Sequence, residues 1–178
     1  LHGMSRDGWN RFKTGNKWEY DVSKLGYKYN MTDVSAAFGI WQMDKVKNWH
    51  KRRALIFGKY QNSFKNISGI IRPMSVNNFE KHAYHLYVIR IISSKWSIDR
   101  NKIIKLLNDG GIGTSVHYKP VHMHSYYQKK YGYNATDFTN ASKFYGEVLT
   151  LPLYPSLKKK QINYIIKFFT DLWKQFKI

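Results

Sequence analysis

Apolar residues recur at helical spacing in two consecutive stretches beginning near Thr32. Val34, Ala37, Phe38 and Trp41 share one face. Thr32 or Asp33 offers the side-chain oxygen that caps such a helix. Trp49, Arg53, Ile56, Tyr60 and Phe64 then follow three or four apart. This predicts a second helix, with Lys51, Arg52 and Arg53 in its first half and a break at Asn66-Ile67-Ser68-Gly69. Residues 69–72 predict a short strand closed by Pro73. Residues 83–93 predict a longer one, built around the β-branched and aromatic run from Leu86 to Ile92. Ser97 is expected to cap a helix running to about Asn108 and stopped by Gly110 and Gly111.

Residues 112–118 read as another strand, followed by a proline-bounded aromatic segment around Tyr126 and Tyr127. A helix over 137–148 would bury Phe138, Ala141, Phe144 and Tyr145, and 149–153 would form a short strand. The last segment carries the clearest period. After a potential cap at Ser156, the residues Ile162, Ile165, Ile166, Phe169, Leu172, Trp173 and Phe176 make one apolar stripe. Its lysine-rich opposite face leaves membrane-surface binding as the alternative to core packing. The sum is an α/β chain with an α+β-like small domain, in which helices cover a short mixed or antiparallel sheet. The first thirty residues show no period, and Gly3, Gly8, Gly15 and Gly26 interrupt them. A loop of that length is usually functional or disordered.

Composition narrows the class. A chain of 178 residues, 43% apolar and 17% aromatic, can form a sizeable core and is not an intrinsically disordered composition. No apolar run approaches the roughly 18 residues of a membrane span, and Leu1-His2-Gly3-Met4 is unlike a signal peptide. The absence of cysteine excludes disulfides and thiolate metal sites and fits a cytoplasmic location. Thirty Lys and Arg against 11 Asp and Glu give a formal charge of +19. That excess admits nucleic acid, an anionic membrane surface or a phosphorylated small molecule as partner. The lysines are spread along the chain, and the one tight run is Lys158, Lys159 and Lys160.

His117, His122 and His124 lie close together in sequence. Their spacing matches no standard zinc pattern, and no carboxylate or cysteine adjoins them, so no metal is expected. His117 and Tyr118, after the glycines at 110, 111 and 113, are instead candidates to hydrogen-bond a polar ligand. Gly110-Gly111-Ile112-Gly113 fits neither phosphate-loop spacing. No serine sits in a nucleophile elbow, and the carboxylates form no evident acid-base pair.

Three segments together resemble the DegT/DnrJ/StrS family of sugar aminotransferases. Leu1 to Asp7 is similar to its HG-x-S-R-D stretch. Gly26-Tyr27-Lys28-Tyr29-Asn30-Met31-Thr32-Asp33, followed by Ala36 and Ala37, is similar to its GYKYN signature. The third combines the stretch from Gly111 to Pro120 with that from Leu151 to Ser156. The GYKYN marker looks most like the branch acting on nucleotide-linked 4-keto sugars, of the UDP-4-amino-4-deoxy-arabinose type.

The resemblance implies the C-terminal part of a fold-type I enzyme with pyridoxal 5'-phosphate as cofactor. It implies amino transfer from an amino acid such as glutamate to a nucleotide-linked keto sugar, for surface polysaccharide or related glycan synthesis, and a homodimer. Residues 1–47 would be the end of the large cofactor-binding domain with an interface loop, and 48–178 the small domain. In that family the Schiff-base lysine lies upstream of the HG-x-S-R-D stretch. No Ser-x-x-x-Lys segment followed by a Gly-Gly strand occurs here, so the chain alone is expected to be inactive and to contain no catalytic residue. By the same resemblance, Lys28 or Asn30 would contact the cofactor phosphate of the neighbouring subunit, and His117 and Tyr118 would line the sugar-nucleotide pocket. A regulatory or non-catalytic relative, or a basic nucleic-acid-binding domain, remains the alternative, with nucleic acid disfavoured because it leaves the GYKYN loop without a role.

Overall fold

The computed structural model describes residues 2–4, 21–74 and 81–178. The expected glycines at 8 and 15, and Ser5, Arg6 and Asp7, lie outside them. The chain divides into two compact units, Leu1–Val46 and Lys47–Ile178.

In the first unit, two distant segments meet through glycine. Gly3 adopts a positive φ of 75°, and a Cβ on Gly26 would stand 2.4 Å from the Gly3 nitrogen. Only the absence of both side chains allows the approach. The Ser23 N–H donates to the Gly3 carbonyl at 3.1 Å, the His2 N–H to the Tyr27 carbonyl at 3.1 Å, and Met4 bridges Val22. Thr32 then caps helix α1, Asp33–Ser63, its hydroxyl accepting from the Ser35 N–H at 3.2 Å.

That helix corrects one expectation: the two predicted helices are a single 31-residue one. No proline or cap separates the two apolar stretches, so the backbone ladder continues although the buried character changes. Ile56, Phe57 and Tyr60 are buried, whereas Val34, Phe38 and Trp41 are exposed within this chain.

The second unit is built on a three-stranded antiparallel sheet of β1 (Ile70–Ile71), β2 (Tyr87–Ile91) and β3 (Val148–Leu151), in that order. Ile70 opposes Ile91, and Tyr87 opposes Leu151. The longer strand expected over 83–93 shortens to β2, because Tyr84 takes a left-handed φ of 50° that no ladder tolerates. Alternation along β2 buries Tyr87, Ile89 and Ile91. They join Phe57 and Tyr60 of the first helix, Phe64 in the turn just after it, and Ile103 and Leu107 of α2 (Arg100–Asp109) in one core. Asp99, not Ser97, caps α2, its carboxylate accepting from the Lys102 N–H at 2.7 Å. A carboxylate at that position also complements the helix dipole.

Residues 112–118 do not form a strand. They make a single bridge, Ser115 to Thr150, because the glycine-rich turn before them and Pro120 after them leave no length for a ladder. The aromatic segment is a short helix, α3 (Ser125–Tyr131), ended by Gly132 at a φ of 72°. Helix α4 (Thr139–Glu147) departs further from expectation, since none of its residues is fully buried. Phe138, Ala141 and Phe144 are exposed and Tyr145 is half-buried. This helix is instead tied by charge: Arg90 donates twice to one Glu147 oxygen, at 2.9 and 2.6 Å. Arg100 donates to the Val148 carbonyl at 2.9 Å, where a cation suits the helix C-terminus. The last helix, α5 (Lys159–Phe176), buries Ile162, Ile165, Phe169 and Leu172. Its start is closed by Gln161, which accepts from the Lys158 N–H at 2.8 Å, so Ser156 is not the cap. The stripe packs in the core, and no helix among the described residues is long and apolar enough to cross a membrane.

Candidate functional site

The second unit organises His117 by means of a turn and an edge. After α2, Gly111 takes a φ of 73°, and the Ile112 N–H reverses to the Leu107 carbonyl at 2.8 Å. The Thr114 N–H then donates to Asn108 Oδ1 at 3.2 Å. This aims the chain along β3, where Ser115 and Thr150 exchange backbone hydrogen bonds of 3.3 and 2.8 Å. Two residues on, His117 Nδ1 meets Thr150 Oγ1 at 2.8 Å. The His117 and Tyr118 rings meet edge to face, 4.6 Å between centroids, and the phenol is 73% exposed.

The imidazole is therefore oriented by a buried hydroxyl on strand β3. Among the described residues its Nε2 has no hydrogen-bond partner, so one polar ring nitrogen and one phenol remain for a ligand. Thr150, the hydroxyl that meets the His117 ring, is not among the residues singled out from the sequence. Its signal was present, as the one polar side chain in the run Val148-Leu149-Thr150-Leu151.

The other two histidines do not join this pair. His122 is buried, bonded through Nε2 to Ser142 Oγ at 3.0 Å, with its ring against Phe138. His124 Nε2 lies 3.3 Å from the Lys119 carbonyl. Each ring has its own partner, and no group of three or more His, Asp or Glu among the described residues is placed to hold a metal.

Lys28 and Asn30 belong to the first unit. They sit in an exposed segment whose Tyr27 and Tyr29 rings stack at 5.5 Å. Neither has a hydrogen-bond or ion-pair partner among the described residues. A lysine ammonium and a carboxamide two residues apart suit a phosphate monoester, which accepts from both and gains from the cation.

Known structures match this architecture. Spr1654 of Streptococcus pneumoniae, assigned as a sugar aminotransferase and solved in a PMP form, superposes with a TM-score of 0.84 at 32% identity, covering 98% of this chain and 43% of that one. PseC of Helicobacter pylori, an aminotransferase of pseudoaminic acid biosynthesis, shares the fold at a TM-score of 0.81 and 22% identity, over 98% of this chain and 44% of its own. The class is thus an architecture shared with part of a sugar aminotransferase. In sequence, residues 1–170 match the DegT/DnrJ/EryC1/StrS aminotransferase family, and the chain belongs to that family. SpsC of Bacillus subtilis, a spore coat polysaccharide biosynthesis protein, is 43% identical over 175 residues, 98% of this chain and 45% of SpsC. The chain spans less than half the length of the curated relatives it matches.

Proposed function

We propose that the intact protein is a pyridoxal phosphate-dependent aminotransferase. It moves an amino group from an amino acid such as glutamate to a nucleotide-linked keto sugar during polysaccharide or related glycan synthesis. The observation that carries this reading is the 43% identity with the polysaccharide-biosynthesis relative over 98% of the chain. Cofactor-bearing forms of a 32% identical relative support the choice of cofactor. When bound, pyridoxal phosphate supplies the electron sink that lets an amino group leave one carbon and reach another.

The residues of this chain bind and orient. Lys28 or Asn30 donates to the cofactor phosphate of the neighbouring subunit in a homodimer, and the free amide and ammonium described above fit that task. His117 and Tyr118 hydrogen-bond the nucleotide sugar, with Thr150 holding the imidazole so that Nε2 faces the ligand. A pre-set donor loses less freedom on binding than a mobile one. The GYKYN segment favours a 4-keto sugar of the UDP-4-amino-4-deoxy-arabinose type. The excess of cations adds attraction for a diphosphate substrate. We place the protein in the cytoplasm, and read the 178 residues as inactive by themselves.

The test is a coupled assay of the intact protein with pyridoxal phosphate, glutamate and a panel of nucleotide-linked keto sugars, following 2-oxoglutarate. Turnover of at least one sugar is expected, with KM raised in His117→Ala and Tyr118→Phe. Absence of turnover with every sugar and donor would overturn the reading.

A further inference from the structure

Two of the three neighbouring histidines have no part in the transamination described above, and one of them, His122, is only 7% exposed. A buried imidazole has given up water, so its surroundings must supply a hydrogen bond. Its Nε2 lies 3.0 Å from Ser142 Oγ, and that hydroxyl donates to the Ala135 carbonyl at 2.6 Å. A carbonyl only accepts, so the Ser142 proton points there and the Ser142 oxygen accepts from the ring. His122 is therefore the donor, with its proton on Nε2. The same ring packs on Phe138, 4.7 Å between centroids.

This bond joins a loop to a fixed helix. Ser142 stands on α4, whose last residue, Glu147, takes both hydrogen bonds from Arg90 of β2. His122 stands in one short helical turn, Val121–Met123, closed by the Met123 N–H on the Pro120 carbonyl at 3.0 Å. His124 folds back on the same loop, its Nε2 3.3 Å from the Lys119 carbonyl. The chain from His117 to His122 is thus fastened at both ends, by His117 to Thr150 on β3 and by His122 to Ser142 on α4. Tyr118 lies between the two anchors with its phenol exposed. A short span pinned at both ends has little freedom left to lose when that phenol meets a ligand.

We propose that His122 is a positioning residue: through Ser142 it holds the 117–122 loop so that Tyr118 presents its hydroxyl to the nucleotide sugar. The inference rests on the reading of Tyr118 as a sugar-nucleotide contact. In this role His122 acts through the loop backbone and does not touch the ligand. The run of three histidines then has a division of labour, in which one ring faces the ligand and two fasten the loop that carries it.

The experiment uses the intact protein loaded with pyridoxal phosphate. His122→Phe keeps a ring against Phe138 and removes the donor, His122→Gln returns an N–H donor, and Ser142→Ala removes the acceptor. Deuterium exchange of the backbone amides over 117–124 should speed up several-fold in His122→Phe and Ser142→Ala, and return towards the parent in His122→Gln. KM for the nucleotide sugar should rise several-fold in the same two variants, with kcat and KM for glutamate little changed. Both substitutions cut one bond, so the double variant should resemble the single ones instead of adding to them. Unchanged exchange in both variants overturns the proposal. So does a KM for the sugar that stays put, or that rises only together with KM for glutamate, since His122 would then support the fold alone. If thermal unfolding shows that His122→Phe does not fold, Ser142→Ala, which leaves the imidazole in place, decides. If the intact protein turns over no nucleotide sugar, the aminotransferase reading fails, and the exchange rates still decide whether His122 holds the Tyr118 loop.

Discussion

Replacing Thr150 by valine removes one hydroxyl and keeps the β-branched shape that the strand prefers. Thr150 is 5% exposed, and its Oγ1 lies 2.8 Å from His117 Nδ1. An intramolecular hydrogen bond of this kind contributes about 1 kcal/mol net, rising towards 3 kcal/mol if a buried group is left unpaired. His117 is half-buried, so water can reach the abandoned ring nitrogen, which keeps the cost near the lower figure. For a chain of this length, about 1 kcal/mol lowers Tm by roughly 2–4 °C. The larger consequence is functional: an imidazole free to rotate no longer presents Nε2 in one direction. In the intact protein, Thr150→Val should raise KM for the nucleotide sugar several-fold with a smaller change in kcat, and Thr150→Ser should restore it. Thermal unfolding and steady-state kinetics on the three proteins check both parts. If Thr150→Val lowers Tm as stated but KM does not move, Thr150 holds the fold and does not position His117.

Three further outcomes follow from the packing. Gly69→Ala would put a methyl carbon 2.1 Å from Trp173 Cζ3 and 2.6 Å from Trp96 Nε1, which also bonds the Gly69 carbonyl at 2.8 Å. Overpacking of this kind costs about 1–3 kcal/mol, so a denaturant midpoint equal to the parent's would contradict the geometry. Tyr87 and Tyr60 are both buried, but the Tyr87 hydroxyl has no partner whereas Tyr60 donates to the Pro152 carbonyl at 2.9 Å. Tyr87→Phe should therefore be neutral or stabilising and Tyr60→Phe should cost about 1 kcal/mol, an ordering read from chemical unfolding. Burial raises the ionisation of both phenols well above that of an exposed tyrosine. The folded state then holds these protons when the unfolded chain has released them. Their contribution is complete below the ordinary tyrosine pKa of about 10 and declines as pH rises beyond it. Stability measured between neutral pH and strong alkali should fall only above that point, and less steeply in Tyr87→Phe.

What the sequence determined is local and periodic. The stripe from Ile162 to Phe176 could bury only one face, and it does. The β-branched run around Ile89 became the central strand, whereas the glycines at 3 and 26, legible only as interruptions of a loop, meet in a backbone approach that no side chain permits. The family was legible because its motifs are runs of adjacent residues.

Properties that depend on distant partners were decided by the tertiary structure. Residues 112–118 have strand-like composition, but a strand exists only where a neighbour supplies a ladder, and β3 offers this segment one bridge at Ser115. The helical spacing of Phe138, Ala141 and Phe144 promised a buried face, yet burial requires an opposing surface, and α4 is held by Arg90 and Arg100 instead. The three neighbouring histidines separate for the same reason: each ring turns to the partner its own backbone position brings within reach. Thr150 and His117 are 33 residues apart, and their hydrogen bond exists only because antiparallel pairing brings the two segments side by side. A sequence specifies which groups are available along the chain, whereas the meeting of two of them at 2.8 Å is a property of the folded packing.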